Sequence, residues 1–186
     1  MSTLTAANQL TLLRMLLVPA FAILVWYGHL GWALCAFVTA GLTDMLDGLI
    51  ARRAGQRTTL GAWLDPMADK LLLATSFVVL TLPGLGLANR LPVWLTVLVI
   101  FRDVGIVLTV IVLNLAIGRL TFKPTMLGKA ATATYIATAV LAMLFNYLEH
   151  QSALVDLAIY ASLAITIASA LHYIWHAQRI IEAADK

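Results

Sequence analysis

The sequence predicts an all-α protein: a polytopic membrane protein folded as a six-transmembrane-helix bundle with both termini cytoplasmic. Three observations carry that prediction. The chain is 62% hydrophobic and 11% charged with a mean hydropathy of +0.93, which is not the composition of a soluble core. Its apolar residues fall into six stretches of spanning length, separated by short polar or Gly/Pro-rich loops. Its bases gather in alternate loops: Arg52, Arg53 and Arg57 after the second stretch, and Arg119, Lys123 and Lys129 after the fourth. The loop around Glu149, His150 and Asp156 has no base, so the excess of bases on the cytoplasmic side places both ends inside, with Arg179 and Lys186 in agreement.

Residues 1–7 are polar and uncharged, and Thr5 or Asn8 can cap the helix that follows. No basic region precedes the first apolar run, Arg14 lies within it, and the run continues past Pro19 to Tyr27. The first span is therefore expected to be retained and not cleaved as a signal peptide. Arg14 reads as a snorkelling interfacial arginine, with contact to a lipid phosphate as the alternative, and Pro19 as a kink. Tyr27-Gly28-His29 turns the chain into a second span, 31–53, and a third follows over 61–82. Pro83, Gly84, Gly86 and Pro92 punctuate the next loop. The fourth span, 92–117, carries Arg102 and Asp103 among valines and isoleucines, where charges avoid lipid: they form a structural ion pair or face a polar cavity.

The fifth span, 125–148, opens with Gly128-Lys129-Ala130-Ala131-Thr132, small residues and a cation at a helix N-terminus suited to a phosphate. The sixth, 153–175, is rich in Ala and Ser, which favour close packing inside the bundle or between protomers; a homodimer is the expected assembly. His172, Tyr173, Trp175 and His176 read as an interfacial belt, and His29 and His150 as loop histidines. The single cysteine, Cys35, excludes a disulfide framework or a cysteine metal site and reads as a small buried hydrophobe. No linker, low-complexity tract or repeat divides the chain, so residues 1–186 are expected to form one domain, with the lipid bilayer and no nucleic acid as its surroundings.

Asp44, Asp47, Asp65 and Asp69, four of the nine acidic residues, lie in the 44–69 stretch of this apolar chain. An unpaired Asp within a span costs about 2.5–3.5 kcal/mol, so four facing lipid would oppose insertion by something near ten. They are expected to face a polar cavity. At 100° per residue, Asp44, Asp47, Gly48, Ala51 and Arg52 fall within an arc of roughly 140° on one helix. Gly61, Asp65 and Asp69 recur at four-residue steps on a second helix, with carboxylates about 6 Å apart in rise. A short polar turn makes the two helices antiparallel neighbours able to aim four carboxylates into one pocket. Such a cluster resists joint ionisation unless a hard divalent ion neutralises it, and oxygen-only ligands suit Mg²⁺ or Mn²⁺. Gly48 and Gly61 leave room for a bulky ligand, and Arg52 offers a planar cation suited to phosphate oxygens.

Written out, Asp44-x2-Asp47-Gly48-x2-Ala51-Arg52-x8-Gly61-x3-Asp65-x3-Asp69 resembles, at every fixed position, the signature of the CDP-alcohol phosphatidyltransferases. Asn8 to Arg14, NQLTLLR, is similar to the leading helix of that family. The resemblance implies a phosphatidyl transfer from CDP-diacylglycerol to an alcohol acceptor with release of CMP. It implies two divalent ions held by Asp44, Asp47, Asp65 and Asp69, with Asp69 also the catalytic base, and a CDP-lipid site formed by Gly48, Ala51, Arg52 and Gly61. It further implies a bacterial inner membrane enzyme whose active site opens to the cytoplasm.

Phe101-Arg102-Asp103 and Lys129 in a Gly-Lys-x-x-Thr setting look like the branch that makes anionic phospholipids. Glycerol 3-phosphate is the first expectation for the acceptor, its phosphate met by Arg102, Arg119, Lys123 and Lys129. Asp103 and Val110 stand where that branch usually carries Glu and a second Arg, and Lys123-Pro124-Thr125 looks closer to CMP-forming cardiolipin synthases, which use phosphatidylglycerol. Two readings from other classes fit less well: a membrane prenyltransferase would need two separated aspartate clusters, and an ion transporter would favour an inverted repeat.

Overall fold

The computed structural model describes the backbone of residues 6–54, 59–117 and 125–184, and most of their side chains; those of 6–11, 44–54, 59–66, 113, 114, 116, 117, 176, 177 and 179–184 lie outside the described residues. Six helices and no strands occupy them: α1 Ala6–Trp26, α2 Leu30–Ala54, α3 Thr59–Thr81, α4 Val93–Ile117, α5 Met126–Tyr147 and α6 Ala153–Ala184. Three, over Val93–Val112, Met126–Tyr147 and Ala153–Trp175, are long and apolar enough to cross a membrane, and Leu12–Trp26 and Leu30–Thr43 form shorter apolar segments. The last helix differs from expectation by continuing through Ala184, well past its apolar part, since nothing in 176–184 is Gly or Pro.

The chain divides into two compact units, one of Met1–Arg90 with Ala139–Ser152 and one of Leu91–Thr138 with Ala153–Lys186. In the first, α1 packs on α2 and α3, and α2 touches α3. The buried positions have helical period: Phe21 and Val25 on α1, Ala33, Phe37 and Ala40 on α2, Leu73, Phe77 and Leu80 on α3. Phe21 meets Phe37 with ring centroids 5.8 Å apart and planes tilted by 53°. Trp26, Trp32 and Leu16 point outward, which leaves an apolar exterior of the kind a bilayer covers. Cys35 shares that outer face of α2: it is exposed and not buried as the sequence suggested, because the two faces of this helix are equally apolar and composition does not rank them.

The helix ends explain the loops. Gly28, with φ +77°, closes α1 in a Schellman motif, the amide of His29 donating to Leu24 O at 2.8 Å and that of Gly28 to Val25 O at 3.0 Å. Glu149 repeats the arrangement after α5 with φ +51°, a left-handed conformation that costs a residue bearing Cβ. Two asparagines then tie the α3–α4 loop to the end of α5. The amide of Asn89 donates to Asn146 Oδ1 at 2.6 Å, Asn146 Nδ2 donates to Asn89 O at 3.2 Å, and Asn89 Nδ2 donates to His150 O at 2.7 Å.

Asn146 is 2% exposed, so replacing it by Ala would strand the buried amide of Asn89. Asn146→Ala should lower stability by about 1–3 kcal/mol, read as a reduced melting temperature in detergent. An unchanged melting temperature would show that the asparagine clasp carries no load.

Candidate active site

The motif residues are distributed over two touching helices, Asp44, Asp47, Gly48, Ala51 and Arg52 along α2 and Gly61, Asp65 and Asp69 along α3. The chain between them, 55–58, and the side chains of Asp44, Asp47, Gly48, Ala51, Arg52, Gly61 and Asp65 lie outside the described residues, as do Arg119 and Lys123. Among the described residues no three of His, Cys, Asp and Glu come together.

Asp69 is described, and its partner is one the sequence reading assigned elsewhere. Arg14 Nη1 on α1 donates to Asp69 Oδ1 on α3 at 2.7 Å. Arg14 is 1% exposed, whereas the Asp69 side chain is 46% exposed. Arg14 is thus neither a snorkelling residue nor open to a lipid phosphate; its guanidinium is inside unit one. The signal was present in its register. Positions 14, 21 and 25 lie within about 40° of one another on a helix, so Arg14 shares the face that buries Phe21 and Val25. A guanidinium on such a face requires an anion on the neighbouring helix, and Asp69, in phase with the buried Ser76 and Leu80, stands there.

In unit two, Arg102 on α4 is 8% exposed. Its Nη1 donates to Asp103 Oδ1 at 2.7 Å and its Nη2 to Ser169 Oγ on α6 at 2.5 Å. The ion pair left open by the sequence is therefore formed, and it is joined by a hydroxyl from another helix. At the start of α5, Thr125 Oγ1 accepts from the amide of Gly128 at 3.1 Å, an N-cap. A Cβ on Gly128 would stand 3.4 Å from Arg102 Nη2, so the first turn of α5 lies against the guanidinium. Lys129, in the same turn, is exposed.

The small polar residues of α6 are explained by the same packing. Ser162, Thr166 and Ser169 are buried at helical spacing: Ser162 Oγ shares a hydrogen bond with Thr138 Oγ1 at 2.8 Å, and Thr166 Oγ1 shares one with Tyr135 Oη at 2.6 Å. These residues pack within the chain, which settles for them the alternative between bundle and protomer contacts. Tyr173 continues the stripe, its hydroxyl donating to Ile106 O at 3.4 Å.

A model of the CDP-alcohol phosphatidyltransferase family matches residues 4–174. The chain belongs to that family. A Mycobacterium tuberculosis protein named "Probable phosphatidylglycerophosphate synthase" is 34% identical over 186 residues, covering 94% of this chain and 82% of its own. The human "Cardiolipin synthase (CMP-forming)" is 35% identical over 164 residues, covering 78% of this chain and 53% of its own. A Drosophila melanogaster protein named "Probable cardiolipin synthase (CMP-forming)" is 35% identical over 204 residues, covering 98% and 61%. The matched span of this phosphatidyltransferase takes in the four aspartates, Arg14 and Arg102.

Arg14→Gln removes the cation while keeping a polar side chain, and should lower CMP release by roughly tenfold, the cost of one hydrogen bond to a charged group. Arg14→Lys should retain more of the rate. A glutamine variant with the wild-type rate would reduce the pair to packing.

Proposed function

We propose that this CDP-alcohol phosphatidyltransferase transfers the phosphatidyl group of CDP-diacylglycerol to glycerol 3-phosphate in phospholipid biosynthesis. The observation that carries the reading is the placement of Asp44, Asp47, Asp65 and Asp69 on two touching helices, with Asp69 anchored by a buried arginine. The phosphatidylglycerophosphate synthase name of the mycobacterial relative supports this acceptor. A second reading, phosphatidylglycerol as acceptor and cardiolipin as product, is supported by the names of the human and fly relatives.

The donor set fits a divalent cation. It consists of carboxylates alone, hard oxygen ligands of the kind Mg²⁺ and Mn²⁺ take, and Asp69 already presents its carboxylate to one cation, the Arg14 guanidinium. Asp44, Asp47, Asp65 and Asp69 would hold two such ions, which supply charge neutralisation for the diphosphate and for the departing CMP. Asp69 accepts the proton of the acceptor hydroxyl as its oxygen bonds to phosphorus and the bond from phosphorus to the CMP oxygen breaks. Arg14 fixes the orientation of that carboxylate. Gly48, Ala51 and Gly61 give the nucleotide room, and Arg52 meets its phosphates. Arg102, Arg119, Lys123 and Lys129 receive the acceptor phosphate.

In this reading the chain is one domain over residues 1–186, with six spans, both termini cytoplasmic and the site opening to the cytoplasm. It sits in a bacterial inner membrane as a homodimer. Acyl chains stay in lipid while the nucleotide comes from water.

Purified protein given CDP-diacylglycerol, Mg²⁺ or Mn²⁺, and each acceptor separately should release CMP and form phosphatidylglycerophosphate with glycerol 3-phosphate. Cardiolipin formed only with phosphatidylglycerol would select the second reading. No CMP with either, or a requirement for a prenyl diphosphate, would reject both. Asp69→Asn should abolish turnover while retaining metal-dependent binding of the CDP-lipid; near-normal turnover would remove Asp69 as base. Asp44→Ala should shift the metal dependence of CMP release to higher concentration, and a superimposable titration would contradict its role as ligand.

A further inference from the structure

We propose that Ser169 is a positioning residue whose hydroxyl holds the Arg102 guanidinium in the orientation that receives the acceptor's phosphate. The inference rests on the reading of Arg102 as an acceptor-binding residue and adds a residue that neither the motif nor the base-rich loops point to.

Arg102 is nine-tenths buried, and its two described partners differ in kind. Asp103 is the next residue on the same helix and supplies negative charge. Ser169 comes from α6 and is neutral. Its oxygen accepts from Nη2 at 2.5 Å, which fixes the plane of the fork without cancelling its charge. Nε is buried and has no hydrogen-bond partner among the described residues, a sealed donor of the kind that calls for an anion or a polar neighbour to satisfy it. Gly128, lacking Cβ, lets the first turn of α5 lie against Nη2.

Ser169 is itself held in place. It is the end of the stripe in which Ser162 and Thr166 bond to Thr138 and Tyr135 on α5, so the rotation of α6 about its axis is set by neutral hydrogen bonds. An alanine would fill the same volume less one oxygen, which makes the hydroxyl separable from the packing. Both candidate acceptors carry a phosphate, and the test therefore has an arm for each.

The experiment uses the full chain in detergent with CDP-diacylglycerol and Mg²⁺ or Mn²⁺, varying glycerol 3-phosphate in one arm and phosphatidylglycerol in the other. Ser169→Ala should raise the KM of the acceptor that supports turnover by roughly tenfold, the cost of one hydrogen bond to a charged donor. The KM for CDP-diacylglycerol and the melting temperature should move far less, and Ser169→Thr, which keeps the hydroxyl, should restore the acceptor KM. An unchanged acceptor KM in Ser169→Ala overturns the inference, as does a parallel rise in both KM values or a threonine variant as impaired as the alanine one. Arg102→Gln, run alongside, separates the two levels. If it leaves the acceptor KM unchanged, the acceptor reading of Arg102 falls and the role of Ser169 with it; if it raises that KM while Ser169→Ala does not, only Ser169 is lost.

Discussion

A charge carried into an apolar bundle has to meet its counter-charge inside the protein, because neither lipid nor the hydrocarbon side chains around it can solvate it. Arg14 obeys this constraint by reaching from α1 to Asp69 on α3, and the helix that leads the chain is thereby tied to the helix that completes the aspartate motif. The pair is asymmetric. Arg14 is sealed while the Asp69 carboxylate remains about half open, so the carboxylate stays accessible from outside the pair. Removing a partner from a fully buried pair costs about 3–5 kcal/mol; the openness of Asp69 reduces that figure here by solvent screening. In the proposed reading the same openness lets a residue held for structural reasons take part in chemistry.

Arg102 meets the constraint differently. Its charge is met by its own neighbour Asp103, at 2.7 Å, and a neutral group from another helix bonds the same guanidinium. That group is Ser169, the end of a row of buried hydroxyls on α6 that bond to Tyr135 and Thr138. Within a span, neutral hydrogen bonds between helices specify rotation and register at lower desolvation cost than further ion pairs would. The Ala- and Ser-rich composition of α6 thus has two physical consequences: small side chains allow close approach, and their hydroxyls determine which face is presented.

The family chemistry and the acceptor chemistry depend on different residues. Membership rests on a match over residues 4–174, and the relatives are named as phosphatidylglycerophosphate synthase or as CMP-forming cardiolipin synthase. Those names divide over the acceptor, at nearly equal identity to this chain: 34% for the mycobacterial protein and 35% for the human one. Overall similarity therefore cannot choose between a small water-soluble phosphate and a lipid. In the proposed reading the choice belongs to the surroundings of Arg102, where Asp103, Ser169 and the first turn of α5 lie against the guanidinium.

The sequence by itself determined the six helices, their order and the spacing of the aspartates, because helical period, apolar length and turn residues are local properties that act within a few residues. It also determined the family, through fixed positions whose register on α2 and α3 follows from that period. It did not determine what Arg14 touches. Its phase with Phe21 and Val25 marked the inward face, yet an arginine near a helix start reads equally well as an interfacial anchor until α3 is seen to bring Asp69 within 2.7 Å. For Cys35 on an evenly apolar helix, and for Ser169 on a helix whose small residues suit two kinds of partner, only tertiary structure assigned the side. The physical reason is common to all three: the rotation of one helix against another is fixed by side chains far apart in sequence, and no local pattern contains it.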